Sequence, residues 1–256
     1  MNRIWYLLLC LFLTQCSLPG GGSAGNGPPV DPEAIRAAVN HPDRPAADRG
    51  RDPDRRPAEV LAFFGIGAGM HVGETMAAGG YYTEILARLV GPGGKVYAQN
   101  TQWFFDNMVG GDLLGRLRRP GLENVVSLKT EFENPGFPDR LDAVLLIRFY
   151  HDFIWLETDR AAYLQSVYRA LKPGGIFGVV DHRAEPGSRG RFAKKLHRID
   201  AEMVREEILT AGFLFEAESM VLHHPEDTLD WSIFFEFNSK RDRTDRFVFR
   251  FRKPAR

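Results

Sequence analysis

From Pro57 onward, strand signals and helix signals take turns, and this alternation constrains the fold of the 256-residue chain more than any other feature. Apolar runs at Met70 to Met76, Lys95 to Ala98, Val125 to Lys129, Leu141 to Ile147 and Ile176 to Val180 read as strands. Between them lie helical stretches. Pro57 to Phe64 opens on a proline, whose missing N–H costs nothing at a helix start. Gly80 to Val90 places Ile85, Leu86 and Leu89 on one face, and Trp103 to Leu117 follows. Thr158 to Leu171 is amphipathic, and Lys172-Pro173-Gly174-Gly175 is expected to end it. Asp200 caps a helix that reaches Ala211, with Gly212 just past its end. Phe213 to Leu222 and Arg246 to Arg252 are late strands, the second marked by Phe247, Phe249 and Phe251 at a period of two. Repeated alternation of this kind predicts a doubly wound α/β fold, a mostly parallel sheet with helices on both faces.

The segments before Pro57 read differently. Met1-Asn2-Arg3 carries one positive side chain, and Ile4 to Leu13 is continuously apolar but too short to span a bilayer, which takes about 20 residues. A basic start and a short apolar run are the anatomy of a secretory signal peptide. The sequence Leu13-Thr14-Gln15-Cys16 resembles a bacterial lipoprotein signal, which implies that Cys16 carries a lipid. The expected organisation is a signal peptide over 1–16, a flexible linker over 17–43 and a folded domain over 44–256. The expected location is exported and periplasmic, with the domain anchored to a membrane. Within the linker, Pro32 to Val39 is a short helix candidate, and the Asp-, Arg- and Pro-rich stretch up to Arg56 reads as an arm over the domain.

Lys+Arg and Asp+Glu both number 33, so the chain lacks the positive surplus needed to coat nucleic acid, and no nucleic-acid partner is expected. Its two cysteines, Cys10 and Cys16, lie in the signal region, which leaves the domain without a disulfide, a cysteine nucleophile or a cysteine metal ligand.

In doubly wound sheets ligands sit at the carboxyl ends of strands, where the strand order reverses. The first strand–turn–helix here runs Glu74-Thr75-Met76-Ala77-Ala78-Gly79-Gly80-Tyr81. Small residues in the turn let a ligand approach the backbone, and the following helix offers free N–H groups.

Several stretches together resemble the class I S-adenosylmethionine-dependent methyltransferases, and in particular a bacterial group of predicted methyltransferases, many of them exported. They are Pro57-Ala58-Glu59-Val60-Leu61-Ala62-Phe63-Phe64-Gly65, Gly79-Gly80-Tyr81-Tyr82-Thr83-Glu84-Ile85-Leu86, Tyr150-His151-Asp152, Leu171-Lys172-Pro173-Gly174-Gly175 and Asp181-His182-Arg183-Ala184-Glu185-Pro186-Gly187. The resemblance implies a seven-stranded sheet with one antiparallel strand. It implies S-adenosyl-L-methionine as cofactor, held at Glu74, Met76, Ala78, Gly79 and Gly80. Asn100 would meet the ribose hydroxyls, and Glu131 and Phe132, after the third strand, would flank the adenine. The family motif has glycine at the positions of Met76, Ala78 and Gly80, and an acidic residue at the position of Gln99 or Asn100. These differences leave a second reading, a non-catalytic ligand-binding or interaction module on the same scaffold.

Tyr150, His151 and Asp152 follow the strand Leu141 to Ile147, and His182 ends the next strand at the same rim. A histidine there suits a general base toward a small-molecule acceptor, because its unperturbed pKa is near neutrality. A bound metal is an alternative, but no HExxH motif and no cysteine ligand is present, and His, His and Asp from separate loops are a weak metal signal, so no metal ligand is assigned. His197 and Arg198 are expected to cap or pair near the helix that begins after Asp200.

Overall fold

The protein is represented by a computed structural model that describes residues 30–234 and 242–255. The segment expected to be a signal peptide, Cys16 and the part of the expected linker up to position 29 lie outside the described residues.

The first helix, α1 (Pro32–Val39), starts where the Asp31 carboxylate accepts the Glu33 N–H at 2.8 Å, and it buries Ile35, Ala38 and Val39. The linker expected over 17–43 is therefore corrected: from Asp31 the chain is part of the domain, because α1 has an apolar face that needs a partner. Two single-turn helices follow, α2 (Ala46–Arg49) and α3 (Asp52–Arg55). The buried Arg44 guanidinium ties them together through Asp52 at 2.7 and 3.0 Å. The Tyr81 hydroxyl donates to the same carboxylate at 2.5 Å, which fastens the arm to the sheet layer behind it.

Next come α4 (Pro57–Phe64), β1 (His71–Thr75), α5 (Tyr81–Val90) and β2 (Lys95–Asn100). The single helix expected over Trp103 to Leu117 is instead three pieces: α6 (Gln102–Phe104), a π-helical turn (Phe105–Val109) and α7 (Gly110–Leu117). The break has a packing cause. A Cβ on Gly110 would lie 2.5 Å from the Phe105 carbonyl and 2.8 Å from its ring, so only glycine permits the widened turn.

β3 (Val125–Lys129) and β4 (Leu141–Ile147) have the bounds expected from sequence. They lead to α8 (Asp152–Trp155) and α9 (Arg160–Ala170). β5 (Leu171–His182) starts earlier than expected. Lys172 to Gly175 forms an irregularity within the strand, with a register shift between Leu141 and Ala143 of the neighbouring strand. The chain closes with α10 (Ala193–Leu196), α11 (Ala201–Thr210), β6 (Leu214–Ser219) and β7 (Arg246–Arg252).

The described strands form one seven-stranded sheet in the order β3-β2-β1-β4-β5-β7-β6. β1 to β5 pair in parallel, and β7 runs antiparallel to both neighbours. This is the mostly parallel, doubly wound sheet with one antiparallel strand that the sequence implied. One apolar cluster packs α1, α4 and α5 on the first face, and the other packs α9 and α11 on the second. The period-two phenylalanines of β7 all join the second cluster, while Val248 joins the first. The strand order turns back between β1 and β4, so a cleft opens at their carboxyl ends. Among the described residues no helix is long and apolar enough to cross a membrane.

Candidate functional site

A cavity of about 710 Å³ occupies that cleft, a volume suited to a drug-sized ligand. Its floor is the turn from Glu74 to Gly79. The arm supplies Arg51 and Arg55, and the β4 and β5 ends supply Arg148, His151, Asp152 and His182.

The turn after β1 has an unusual backbone. Met76 and Ala78 both have φ of 50°, and Gly80 has φ of 87°. The three positions that hold glycine in the family motif are therefore all left-handed, although two of them carry side chains. Left-handed backbone costs about 1–2 kcal/mol for each non-glycine residue, so the surroundings must enforce it. They do so through the end of β2. Gln99 Oε1 accepts the Met76 N–H at 3.2 Å, the Gln99 carbonyl accepts the Ala77 N–H at 2.9 Å, and Asn100 Oδ1 accepts the Ala78 N–H at 2.9 Å. Gly80 starts α5, and a Cβ there would lie 2.9 Å from the Arg116 and Leu113 side chains. Arg116 uses that closeness to donate to the Gly79 carbonyl at 2.7 Å.

Glu74, at the end of β1, is buried and accepts from the Thr83 hydroxyl at 2.6 Å. Burial pushes its carboxyl up to about 8, against the opposing pull of Thr83 and Arg116, so at neutral pH it is an uncharged group that can donate as well as accept.

The opposite rim is a chain of ion pairs. His151 Nδ1 donates to Asp181 Oδ1 at 2.7 Å, and the His151 backbone N–H donates to Asp181 Oδ2 at 2.8 Å. His151 Nε2 and His197 Nδ1 each lie 3.1 Å from Asp152 Oδ1. Burial lowers the His151 pKa, but the carboxylates of Asp181 and Asp152 outweigh it and push it up to about 10. His182 goes the other way: burial and then Arg148 hold it well below its ordinary value. Its Nε2 accepts from Arg148 Nε at 3.0 Å, which leaves Nδ1 to donate to Thr244 Oγ1 at 2.6 Å.

Between the arm and β4, Arg51 and Arg55 lie 2.7 and 3.2 Å from Asp242, and Arg148 also donates to it. Three guanidiniums thus share one carboxylate on the cavity wall. Burial and the repulsion of Arg148 draw Arg55 down to about 10, the mark of a local positive surplus.

Of the residues expected from sequence, Glu74, Met76, Ala78, Gly79, His151, Asp152 and His182 line the cavity. Several others do not. Asn100 is fully buried and spends its amide on the Ala78 backbone rather than on a ligand. Gly80 acts as the α5 cap behind the turn. Glu131 is exposed, and Phe132 stacks with Phe149 and Phe153 at 5.3 and 4.9 Å inside the second apolar cluster. Tyr150 is fully buried and donates to Glu207 at 2.6 Å, on the side away from the cavity. His182 has both ring nitrogens engaged, and His151 is cationic at neutral pH, so neither is the neutral-pH base that the sequence suggested. His197 meets Asp152 instead of capping α11, and Arg198 forms a buried pair with Asp227 at 2.8 Å. Sequence reading missed Arg51, Arg55, Arg148 and Asp242. Arg148 alone had a signal, as the first residue past a strand that ends at the cleft.

Residues 77–179 match the family model of a methyltransferase domain. A ubiquinone/menaquinone biosynthesis C-methyltransferase of Enterobacter sp. (strain 638) is 30% identical over 173 residues, which cover 64% of this chain and 64% of that protein. The chain thus spans under two thirds of the length of this relative. Among solved structures, an S-adenosylmethionine-dependent methyltransferase from Aquifex aeolicus superposes with a TM-score of 0.59 at 20% identity, over 87% of this chain and 98% of that one. A protein from Galdieria sulphuraria described as a sarcosine dimethylglycine methyltransferase gives 0.58 at 19% identity, over 82% of this chain and 88% of that one. The fold is the Rossmann-like α/β fold of class I methyltransferases.

Proposed function

We propose that this chain, which has the class I methyltransferase fold and a methyltransferase-domain segment, transfers a methyl group from S-adenosylmethionine to a small acceptor. One observation carries the reading. A cavity of about 710 Å³ lies at the strand-order reversal, over a turn that keeps left-handed backbone at all three glycine positions of the family motif. Met76 lines the cavity and also packs in the second apolar cluster, and Ala77, Ala78 and Gly79 present little more than backbone.

When bound, S-adenosylmethionine supplies an electrophilic methyl group on a sulfonium. The chain's own residues supply position and charge. The turn from Glu74 to Gly79 bounds the ligand on one side, and the uncharged Glu74 carboxyl offers both a donor and an acceptor there. His182 has its ring fixed between Thr244 and Arg148, and so aims the Arg148 guanidinium. With Arg51 and Arg55 sharing Asp242, this wall favours a ligand that carries an anionic group, because buried like charges are relieved by a counter-charge. Phe104, Phe149 and Trp231 give the cavity walls an apolar part.

Export and attachment through a lipid on Cys16 belong to the same proposal, supported by the basic start and the apolar run Ile4 to Leu13. Palmitate labelling of cells should mark the chain and fail on Cys16→Ser; an unlabelled wild type contradicts the anchor.

The enzymatic reading is tested by incubating the chain with methyl-labelled S-adenosylmethionine and a panel of small carboxylate-bearing acceptors. Label in an acceptor, with formation of S-adenosylhomocysteine, is the expected result. Binding of the methyl donor without transfer to any acceptor contradicts the acceptor class, and absence of binding contradicts the reading itself.

A further inference from the structure

We propose that His151, Asp152 and His197 bind one divalent first-row transition-metal ion, whose remaining coordination positions face the cavity. One ligating atom from each of the three residues lies within 4.8 Å of the others. His151 Nε2 and His197 Nδ1 are each 3.1 Å from Asp152 Oδ1. With metal–ligand bonds of about 2.1 Å, neighbouring ligands stand about 3 Å apart at right angles and about 3.4 Å apart at the tetrahedral angle. The two spacings to Asp152 Oδ1 fall in that range.

A second observation is independent of the clustering. His151 is 1% exposed, and its Nε2 is a buried polar atom without a hydrogen-bond partner. Its neighbour Asp152 Oδ1 is close, but the alignment of a hydrogen bond is missing. Buried polar atoms are nearly always satisfied, so an orphan of this kind points to a group that completes it. The other ring nitrogen is already committed: Nδ1 donates to the fully buried Asp181 carboxylate at 2.7 Å. A carboxylate behind the distal nitrogen of a metal-binding histidine fixes its tautomer, so an ion entering the site displaces the Nε2 proton and takes its place there.

The third ligand is held at some cost. His197 is the left-handed cap of α10, with φ of 54°. Its ring is packed by Phe234 at a centroid distance of 4.2 Å and by Trp155 at 6.2 Å. The Trp155 indole N–H donates to Asp152 Oδ1 at 2.7 Å, so the carboxylate is oriented as well. Two imidazoles and one carboxylate without thiolate suit zinc, iron(II), cobalt(II) or manganese(II) over soft copper(I). His151 and Asp152 line the cavity, so an ion there would meet an acceptor oxygen and lower the pKa of its proton.

The site does not depend on the methyltransferase reading: metal binding and S-adenosylmethionine binding are measured separately, and either can fail alone. The test is a titration of the untagged, chelator-treated full chain with cobalt(II), followed by visible absorption. The expected result is one cobalt(II) per chain at micromolar concentration, with d–d bands and no thiolate charge-transfer band. His197→Asn keeps a residue that tolerates the left-handed backbone while removing the imidazole, and should weaken binding about a hundredfold or more. Asp152→Asn should do likewise, with the circular dichroism of both variants unchanged. If the variants fail to fold, the wild-type spectrum still decides. Absent binding at millimolar cobalt(II), a thiolate band, or a folded His197→Asn chain that binds as well as wild type would each overturn the proposal.

Discussion

Asn100 Oδ1 accepts the Ala78 N–H at 2.9 Å, and this bond joins the end of β2 to the turn after β1. It turns the residue that commonly meets a ribose into a brace for the backbone beneath it. Asn100→Ala would remove the acceptor of the partly buried Ala78 N–H, at a cost of about 0.5–1.5 kcal/mol in stability. Because the turn then loses its left-handed geometry, S-adenosylmethionine affinity should fall at least in parallel. Chemical denaturation and a binding titration check the two effects; a variant that loses stability but keeps full affinity would contradict the bracing role.

Ala78→Gly should raise stability, since an alanine methyl at φ of 50° costs about 1 kcal/mol more than glycine would at the same backbone. Ala78→Val should do the reverse and more strongly, because a β-branched residue tolerates left-handed backbone worst of all. Melting temperatures of the pair, measured side by side, should move in opposite directions. A shift of the same sign for both would mean that the strain is absent.

Glu74 makes stability depend on pH. Its carboxyl, raised by burial to about 8 against 4.5 in the unfolded chain, keeps a proton in the folded state that the unfolded state has released. Stability from this group is therefore complete below about pH 4.5 and is lost as pH rises through about 8, at up to about 1.4 kcal/mol per pH unit. Glu74→Gln stays neutral throughout and should flatten the pH dependence across that window. Parallel curves for the wild type and the variant between pH 5 and 8, a range set on the order of the two limits above, would show that Glu74 is ionised in the fold.

Much of this architecture was legible before any coordinates. Leu141 to Ile147 and Arg246 to Arg252 have a composition and period that only a buried strand satisfies, and both ranges match the structure. The π turn at Phe105–Val109 was not legible, because it arises from one close contact between Gly110 and Phe105. The cavity floor was legible through Glu74 to Gly79, a continuous stretch made of the end of β1 and the turn after it. The Arg51, Arg55, Arg148 and Asp242 wall was not, since its members are brought together from three distant parts of the chain. His197 was expected, from its proximity to Asp200 in sequence, to cap or pair near the start of α11; tertiary packing pairs it instead with Asp152.

Arg198 and Asp227 form an ion pair with both side chains fully buried, and Arg198 also donates to the Trp231 carbonyl at 3.1 Å. This anchors the segment that brings Trp231 and Phe234 to the cavity. Asp227→Ala strands a buried guanidinium and should cost about 3–5 kcal/mol. The double variant Arg198→Met with Asp227→Leu should recover part of that loss. Denaturant midpoints decide; a double variant less stable than Asp227→Ala would mean that the pair contributes more than compensation of its own burial.

The central claim is that the cavity over the left-handed turn holds S-adenosylmethionine. Isothermal titration of the purified chain with that compound tests it most directly. The account requires one site per chain with a micromolar Kd, weakened at least tenfold by Asn100→Ala, which is about 1.4 kcal/mol of binding free energy. Millimolar or absent binding by a folded wild-type chain would contradict it.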